Sequence, residues 1–194
     1  MKDGLSILKE LAGKIHPLPE AAMEDFLSIW MPFQAGRKEL LTVSGNIEKY
    51  MYVVLDGVQR VYYQDDLDRE ATIVFTYPPS FGGVLDSFLL QTPSKYNFET
   101  LTPSSFLRTS SASFNTLMEK HHSIETMVRK GLSGVIAGLE ERLVEIQSFS
   151  SEEKFRSLLK RSPHILQLVP HKYLASYLGI DATNFSKLIN KVRI

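Results

Sequence analysis

Residues 37–110 consist of short runs rich in Val, Ile, Tyr, Phe and Thr, and no other feature of the chain constrains its fold as strongly. Gly, Pro, Asn and Asp separate these runs, and repeated short strands at such spacing are typical of a β-sandwich or barrel. The pair Asp56-Gly57 lies between two strand-like runs and predicts a hairpin there. We expect positive φ angles at Gly45, Gly57 and Gly82, where the chain turns corners.

Residues 113–149 have a helical pattern instead. Apolar residues recur at spacings of 4, 4, 3, 4, 4 and 3, an 11-residue repeat that keeps them on one face of a nearly straight helix. This stripe needs a partner surface, which is either the chain's own sheet or the same helix of a second copy. The stripe begins at Ile124, and its other members are the predicted dimer-interface residues Val128, Leu132, Val135, Leu139, Leu143 and Ile146.

Three glycines lie inside this predicted helix, at positions 131, 134 and 138. Each glycine lowers helix stability by about 1 kcal/mol relative to alanine in a helix interior, so their presence needs an explanation. Close approach of another helix, a bend that changes with the state of the protein, and a tolerated accident of packing would each account for them.

Charge is balanced over the whole chain but is divided unevenly along it. Lys plus Arg equals Asp plus Glu, at 22 each, yet residues 1–149 carry a net charge of −5 and residues 150–194 a net charge of +5. A basic module is the usual electrostatic footprint of a nucleic-acid binder. Chance clustering of solvated Lys and Arg is the alternative, and the residue pattern must decide between the two.

Residues 171–192 have the layout of a helix-turn-helix motif. Gly179 suits a turn that needs the left-handed conformation, Ile180 plugs that turn, and Asp181 can cap the second helix. Ala175 is small enough to let the two helices cross closely. The residues predicted to face inward are Leu174, Ala175 and Leu178 in the first helix and Phe185, Leu188 and Ile189 in the second.

Polar residues remain on the outer face of the second helix. Thr, Asn and Ser side chains can bond to base edges, and Lys can bond to guanine or to phosphate. An ordinary helical hairpin with a polar outer face is the alternative. The predicted DNA-binding residues are Lys172, Thr183, Asn184, Ser186, Lys187, Asn190 and Lys191.

Several functional classes lack their residues. The absence of cysteine excludes disulfides, thiolate zinc sites, iron–sulfur clusters and cysteine nucleophiles. His121 and His122 are adjacent, about 100° apart on a helix, so we interpret them as solvated rather than metal-binding. We find no catalytic constellation and expect no enzyme, no metal and no certain cofactor. Lacking a secretory signal and any run of 18 apolar residues, the chain is expected in the cytoplasm, away from membranes.

The chain as a whole resembles the catabolite activator and Fnr-type (Crp/Fnr) transcription regulators. The likeness rests on residues 41–46 (LTVSGN), 52–63 (YVVLDGVQRVYY) and 81–83 (FGG), on the long helix, and on residues 170–188. It implies an α+β fold: a cyclic-nucleotide-binding-like jelly roll over 1–112, a dimerisation helix over 113–149 and a helix-turn-helix domain over 150–194. It also implies a homodimer that binds double-stranded DNA and contacts RNA polymerase.

The jelly-roll signature departs from that of family members that bind cyclic AMP. Their phosphate-binding cassette begins Phe-Gly-Glu and ends with Arg before Ser or Thr, whereas here Gly83 stands at the Glu position and Lys95 is the nearest cation. We therefore expect another small-molecule effector, or none, rather than cyclic AMP. The candidate ligand residues are Phe81, Gly82, Gly83, Val84, Leu85, Ser94, Lys95 and Tyr96.

The C-terminal part departs from the family pattern too. Residues 150–170 resemble a subgroup in which helices replace the usual strands before the motif, and we expect the C-terminal wing of many relatives to be absent. Ala182, Thr183 and Lys187 stand where the activator's recognition helix has Arg, Glu and Arg, so a different DNA site is expected. A ligand-sensing or interaction module with weak or lost DNA binding is the alternative function.

Overall fold

The structure, a computed structural model, describes residues 2–191, so Val192 of the predicted motif lies outside it. The elements of the N-terminal part are α1 (Lys2–Ile15), α2 (Glu20–Ser28), β1 (Met31–Ala35), β2 (Leu40–Thr42), β3 (Tyr50–Asp56), β4 (Gln59–Gln64), β5 (Glu70–Thr76), β6 (Ser80–Gly82), α3 (Leu85–Leu90), β7 (Asn97–Thr100) and β8 (Ser104–Ser110). The helices that follow are α4 (Ser111–Lys120), α5 (His122–Ser148), α6 (Ser151–Arg161), α7 (Ile165–Leu168), α8 (His171–Leu178) and α9 (Ala182–Lys191).

The strands form two four-stranded antiparallel sheets packed as a jelly roll. One sheet has the strand order β1-β8-β3-β6 and the other β2-β7-β4-β5. Apolar side chains from both sheets meet between them, because successive residues of a strand point to opposite faces. This inner core comprises Ala35, Tyr52, Val54, Val61, Val84, Phe98 and Phe106. The sandwich predicted from the short strands is confirmed.

The hairpin predicted at Asp56-Gly57 is wrong. The strands on either side of this pair, β3 and β4, belong to different sheets. Beyond Gly57 the backbone pairs with the β7–β8 connection, where Leu101 N donates to Val58 O at 2.7 Å and Val58 N donates to Thr102 Oγ1 at 2.9 Å. Gly57 therefore carries the chain from one sheet to the other.

The glycine conformations agree with the prediction at two positions of three. The φ angles of Gly45 and Gly57 are +89° and +87°. In the third corner the positive φ belongs to Gly83, at +116°, and not to Gly82. Gly82 is the last residue of β6, and its extended backbone pairs with Tyr52 of β3.

Helices α1, α2 and α4 and the first turns of α5 cover the outer face of the first sheet. Phe26 lies at the centre of this second core, with edge-on contacts to Trp30 and Phe114 at ring distances of 5.7 and 6.4 Å. Ile124 and Met127, in the first two turns of α5, are buried in the same core. The long helix is thus anchored to its own sheet at its N-terminal end.

Helices α6–α9 share a third core that continues into the jelly roll. Helix α6 begins with a capping box in which Ser150 and Glu153 satisfy each other's backbone amides. Its Phe155 packs edge-on against Phe185 of α9 at 5.5 Å. The same core includes Val58 and Leu101 of the sandwich. The helix-turn-helix residues therefore pack directly on the jelly roll and share a core with it.

We predict that Phe185→Ala lowers the free energy of unfolding by about 3–5 kcal/mol, because Phe185 is 1% exposed and its removal leaves a cavity beside Phe155. Urea denaturation followed by circular dichroism measures the loss. Leu67→Ala is the control, since Leu67 is 74% exposed on the β4–β5 turn and should change stability by less than about 0.5 kcal/mol. Similar losses for both variants would contradict the packing described.

Candidate nucleic-acid interface and effector pocket

The turn between α8 and α9 is fixed by local backbone chemistry. Helix α8 ends at Gly179, whose φ and ψ are 62° and 38°, a left-handed conformation that a residue with a Cβ adopts only at a cost. The next residue, Ile180, is buried, and its amide donates to Ala175 O at 3.0 Å. Gly179 and Ile180 thereby have the roles predicted for them.

Helix α9 is capped and oriented as the pattern predicts. Asp181 Oδ1 accepts from the Asn184 amide at 2.8 Å, which satisfies one of the free N–H groups of the first turn. Phe185 and Leu188 are buried against the core of α6 and α8. The side chains left exposed on α9 are Ala182, Thr183, Asn184, Ser186, Lys187, Asn190 and Lys191.

The predicted DNA-binding residues therefore lie at the surface. Six of them share the exposed face of α9, and Lys172 is exposed on α8 with its Nζ 4.7 Å from the Tyr173 ring. Lys191 is engaged within the protein, because its Nζ lies 3.2 Å from Glu152 Oε2. Contact of these residues with DNA stays a prediction.

The residues predicted to hold an effector are divided among three places. Phe81 and Leu85 line an apolar cavity of about 140 Å³ between the sandwich and α5. Val84 is buried in the inner core, and Tyr96 packs against it. Ser94 and Lys95 line another cavity, beside the β4–β5 turn. The set was predicted as one pocket, and the structure gathers only parts of it.

A buried carboxylate that the sequence did not reveal lies beside the start of α3. Glu48 is 1% exposed, and its Oε2 accepts from the Val84 amide at 3.2 Å and from the Thr42 hydroxyl. Its Oε1 accepts from the Tyr50 amide at 3.2 Å. Burial raises the pKa of Glu48 above its usual value, against the lowering effect of these hydrogen bonds. The amide that precedes α3 is thus already satisfied by the protein's own anion.

A glutamate in place of Gly83 would be strained in this backbone. Its φ of +116° favours glycine, and a Cβ built there would lie 3.3 Å from Tyr50 O and 3.6 Å from Glu48 Oε2. A carboxylate at this position would also face the negative charge of Glu48. The departure from the cyclic-AMP cassette is therefore built into the local conformation.

The positive charge inside the sandwich comes from β8, which the sequence reasoning also missed. The Arg108 guanidinium lies over the rings of Phe33 and Tyr50, with its Cζ 3.9 and 4.3 Å from their centroids. Within residues 2–191 it forms no salt bridge, and its buried Nε has no hydrogen-bond partner. The sequence pattern does not predict this position, because Arg108 resembles any other polar residue of a strand.

The apolar stripe of α5 divides into two halves. Ile124 is buried, and Val128 and Leu132 are half-buried against the N-terminal helices and the first sheet. From Val135 onwards the stripe is exposed: Val135, Leu139, Leu143 and Ile146 are 45%, 51%, 54% and 42% exposed. The chain's own sheet therefore accounts for the first half of the stripe and leaves the second half without a partner in this protomer.

The helix glycines do not mark a close contact within the protomer. A Cβ on Gly131 would lie 3.8 Å from Ile15, an ordinary contact, and a Cβ on Gly134 or Gly138 would meet nothing within 4 Å in the described structure. The remaining explanations for these glycines stay open.

The two adjacent histidines have different environments. His122 is exposed as predicted, but His121 is half-buried, and its Nε2 lies 2.6 Å from Asp25 Oδ2, which also binds Lys120. The interpretation of both as solvated is wrong for His121, because the break between α4 and α5 turns it toward α2. Across residues 2–191 no group of His, Asp and Glu side chains could hold a metal ion. No helix in the same range is long and apolar enough to cross a membrane.

Comparison with known proteins agrees with this architecture. Residues 32–121 match the family described as cyclic nucleotide-binding domain. No curated protein matches the sequence significantly. Among solved structures, FixK2 from Bradyrhizobium japonicum superposes with a TM-score of 0.75 at 14% identity, over 84% of each chain.

Two further solved regulators share the fold. The c-di-GMP responsive global regulator CLP from Xanthomonas campestris has a TM-score of 0.65 at 16% identity, over 89% of this chain and 91% of that one. The catabolite activator protein of Thermus thermophilus has a TM-score of 0.57 at 17% identity, over 91% and 84%. The predicted α+β fold is confirmed, the resemblance to Crp/Fnr regulators is confirmed at the level of the fold, and the assignment to a subgroup stays a prediction.

We predict that the protein binds neither cyclic AMP nor cyclic GMP with submicromolar affinity. Glu48 already occupies the Val84 amide, Gly83 offers no carboxylate to a ribose, and residues 94–97 contain no arginine to pair with a phosphate. Isothermal titration calorimetry measures the affinity, with a cyclic-AMP-binding Crp/Fnr protein as positive control. A Kd below about 1 µM for either nucleotide would contradict the prediction.

Proposed function

Because residues 32–121 match the family described as cyclic nucleotide-binding domain, and the chain shares its fold with FixK2 and the catabolite activator protein, we propose that this protein is a homodimeric, DNA-binding transcription regulator. The observation that carries the proposal is the polar outer face of α9, held outward by the burial of Phe185 and Leu188. A helix presented in this way fits the major groove of duplex DNA.

The proposed base contacts come from the first two turns of α9. Thr183, Asn184 and Lys187 lie there, and the early residues of a recognition helix are those that reach base edges. Asn can pair with adenine and Lys with guanine, while Lys172 and Lys191 serve as phosphate contacts. Ser186 and Asn190 complete the proposed DNA-binding face.

The proposed dimer forms through the exposed half of α5. A stripe of apolar residues open to solvent over several helical turns is unusual on a monomer and typical of an interface. A twofold pair of such helices would present two copies of α9 to half-sites one DNA turn, about 34 Å, apart. Ile136, which is 56% exposed, lies beside the predicted stripe and widens the apolar surface.

We propose a regulatory rather than a catalytic role, exerted on DNA in the cytoplasm, with RNA polymerase as a further partner. The division into a jelly roll over 1–112, a dimerisation helix over 113–149 and a DNA-binding domain over 150–194 stays part of this proposal. An effector other than cyclic AMP would find the Arg108 guanidinium free of any carboxylate within the described chain. Such a ligand regulates only if it binds two arrangements of the protein differently.

The alternative is a ligand-sensing or interaction module with weak or lost DNA binding. It is favoured by the small number of cations on α9, where Lys191 is already paired with Glu152. A mobility-shift selection against random duplexes separates the two functions. Enrichment of one sequence supports the regulator, whereas indifference to both sequence and salt supports the module.

We predict that Lys187→Ala weakens binding to the selected operator by about 1–3 kcal/mol, because a base-reading contact is lost. Fluorescence anisotropy with labelled duplexes measures the change. Lys160→Ala is the matched control, since Lys160 is an exposed lysine in the last turn of α6 and is not among the predicted DNA-binding residues. A small loss that is equal for all sequences would make Lys187 a phosphate contact, and no loss at all would remove it from the interface.

We predict that Leu139→Glu converts the dimer into a monomer, because the substitution would bury two unpaired carboxylates in the apolar interface. Sedimentation equilibrium at micromolar protein concentration measures the mass. Leu67→Glu introduces the same charge at an exposed turn and should leave the dimer intact. A wild-type protein that sediments as a monomer, or two variants that behave alike, would contradict the proposed interface.

A further inference from the structure

The side chain of Arg142, in the C-terminal half of α5, joins three parts of the molecule. Its Nη1 donates to Ile73 O, and its Nη2 donates to Thr72 O at 3.3 Å and to Tyr177 O at 2.7 Å. Thr72 and Ile73 belong to strand β5 of the jelly roll, and Tyr177 belongs to α8 of the helix-turn-helix motif. One guanidinium thus connects the long helix, the sheet and the motif.

The partners of Arg142 explain why the residue is an arginine. All three acceptors are backbone carbonyls: two lie on β5, the edge strand of its sheet, and the third lies in the last turn of α8. Carbonyls at a helix C-terminus have no partner within the helix and attract positive charge. Only the planar fork of a guanidinium offers donors in enough directions for all three, and a lysine ammonium would reach part of the set.

The hydrogen bonds of Arg142 go to carbonyl groups and not to a carboxylate. Within the described chain its guanidinium forms no salt bridge, and burial lowers its pKa from the usual arginine value. Its Cζ also lies 3.6 Å from the centroid of the Tyr177 ring. The guanidinium of Arg142 therefore contributes to the contact between α5, β5 and α8.

Contacts between uncharged groups also hold α8 on β5. The Thr72 amide donates to Ser176 Oγ at 3.0 Å, and this hydroxyl donates to Glu70 O at 3.3 Å. Farther along the strand, the rings of Phe75 and Tyr177 are 5.3 Å apart. These contacts hold α8 against β5, whereas Arg142 ties both to the helix that carries the proposed dimer interface.

We infer that Arg142 is a positioning residue that fixes the separation of the two recognition helices in the dimer. The inference rests on the proposed function and goes beyond it, since it names the contact that determines which spacing of DNA half-sites the protein accepts. Helix α5 defines the dimer axis, and α9 follows α8 after one short turn. The orientation of α8 on α5 therefore sets the distance between the two copies of α9.

The test measures binding to a series of operators whose half-sites are moved apart or together by one or two base pairs. Wild-type protein is expected to show a sharp optimum in spacing. Arg142→Met should bind the optimal operator about tenfold more weakly and the altered operators with little further loss, which flattens the profile. Arg142→Lys should restore part of the optimum. Arg129→Met, which removes an exposed arginine from the same helix, should leave the profile unchanged.

The outcomes separate this inference from the proposed function. A wild-type spacing profile retained in Arg142→Met, or an equal loss at every spacing, overturns the positioning role. A wild-type protein that binds no duplex overturns the proposed function instead. In that case, hydrogen exchange without DNA decides the attachment: faster exchange in Arg142→Met confined to β5 and α8 supports it, and unchanged exchange overturns it.

Discussion

The hydrophobic core shared by the helix-turn-helix motif and the jelly roll determines the arrangement of the whole molecule. Val58 and Leu101 come from the sandwich, yet they pack with Leu174 and the other inward residues of the motif. Beside this core, the Arg60 guanidinium is stacked between the Tyr62 and Tyr173 rings, with its Cζ 3.8 and 3.9 Å from their centroids. Burial alone would lower the pKa of Arg60, but salt bridges to carboxylates of the same sheet raise it. The surface proposed to read DNA is therefore oriented by the domain proposed to sense an effector.

A buried carboxyl group of the chain itself lies in the region where the cyclic-AMP-binding cassette differs from this sequence. Glu48 is a buried carboxyl group, and a buried polar group is tolerated only where hydrogen bonds satisfy it. Here the Thr42 hydroxyl and two backbone amides supply those bonds. The Val84 amide is thus satisfied within the protein, while the Arg108 guanidinium forms no salt bridge in the described chain.

Local signals predicted from the sequence what local chemistry determines. Gly179 and Asp181 fix a turn and a cap within a few residues, so the motif and the outward face of α9 could be derived from the sequence pattern. Strand pairing depends on distant partners, and the hairpin expected at Asp56-Gly57 failed because Val58 pairs with Leu101. For the same reason Glu48, Arg108 and Arg142 were not found: the carbonyl of Ile73 lies 69 positions from Arg142, and no spacing rule connects the two.

Strand β5 is the edge strand of its sheet, and its free edge contacts α8 instead of another strand. Arg142 and Ser176 occupy backbone groups that a foreign strand would otherwise use, which protects the sheet from edge-to-edge aggregation. A chain cut before α6 would keep Arg142 but lose Ser176 and Tyr177, and with them most of this cover. By covering the edge of β5, the C-terminal helices therefore also keep jelly rolls of different molecules from pairing through this strand.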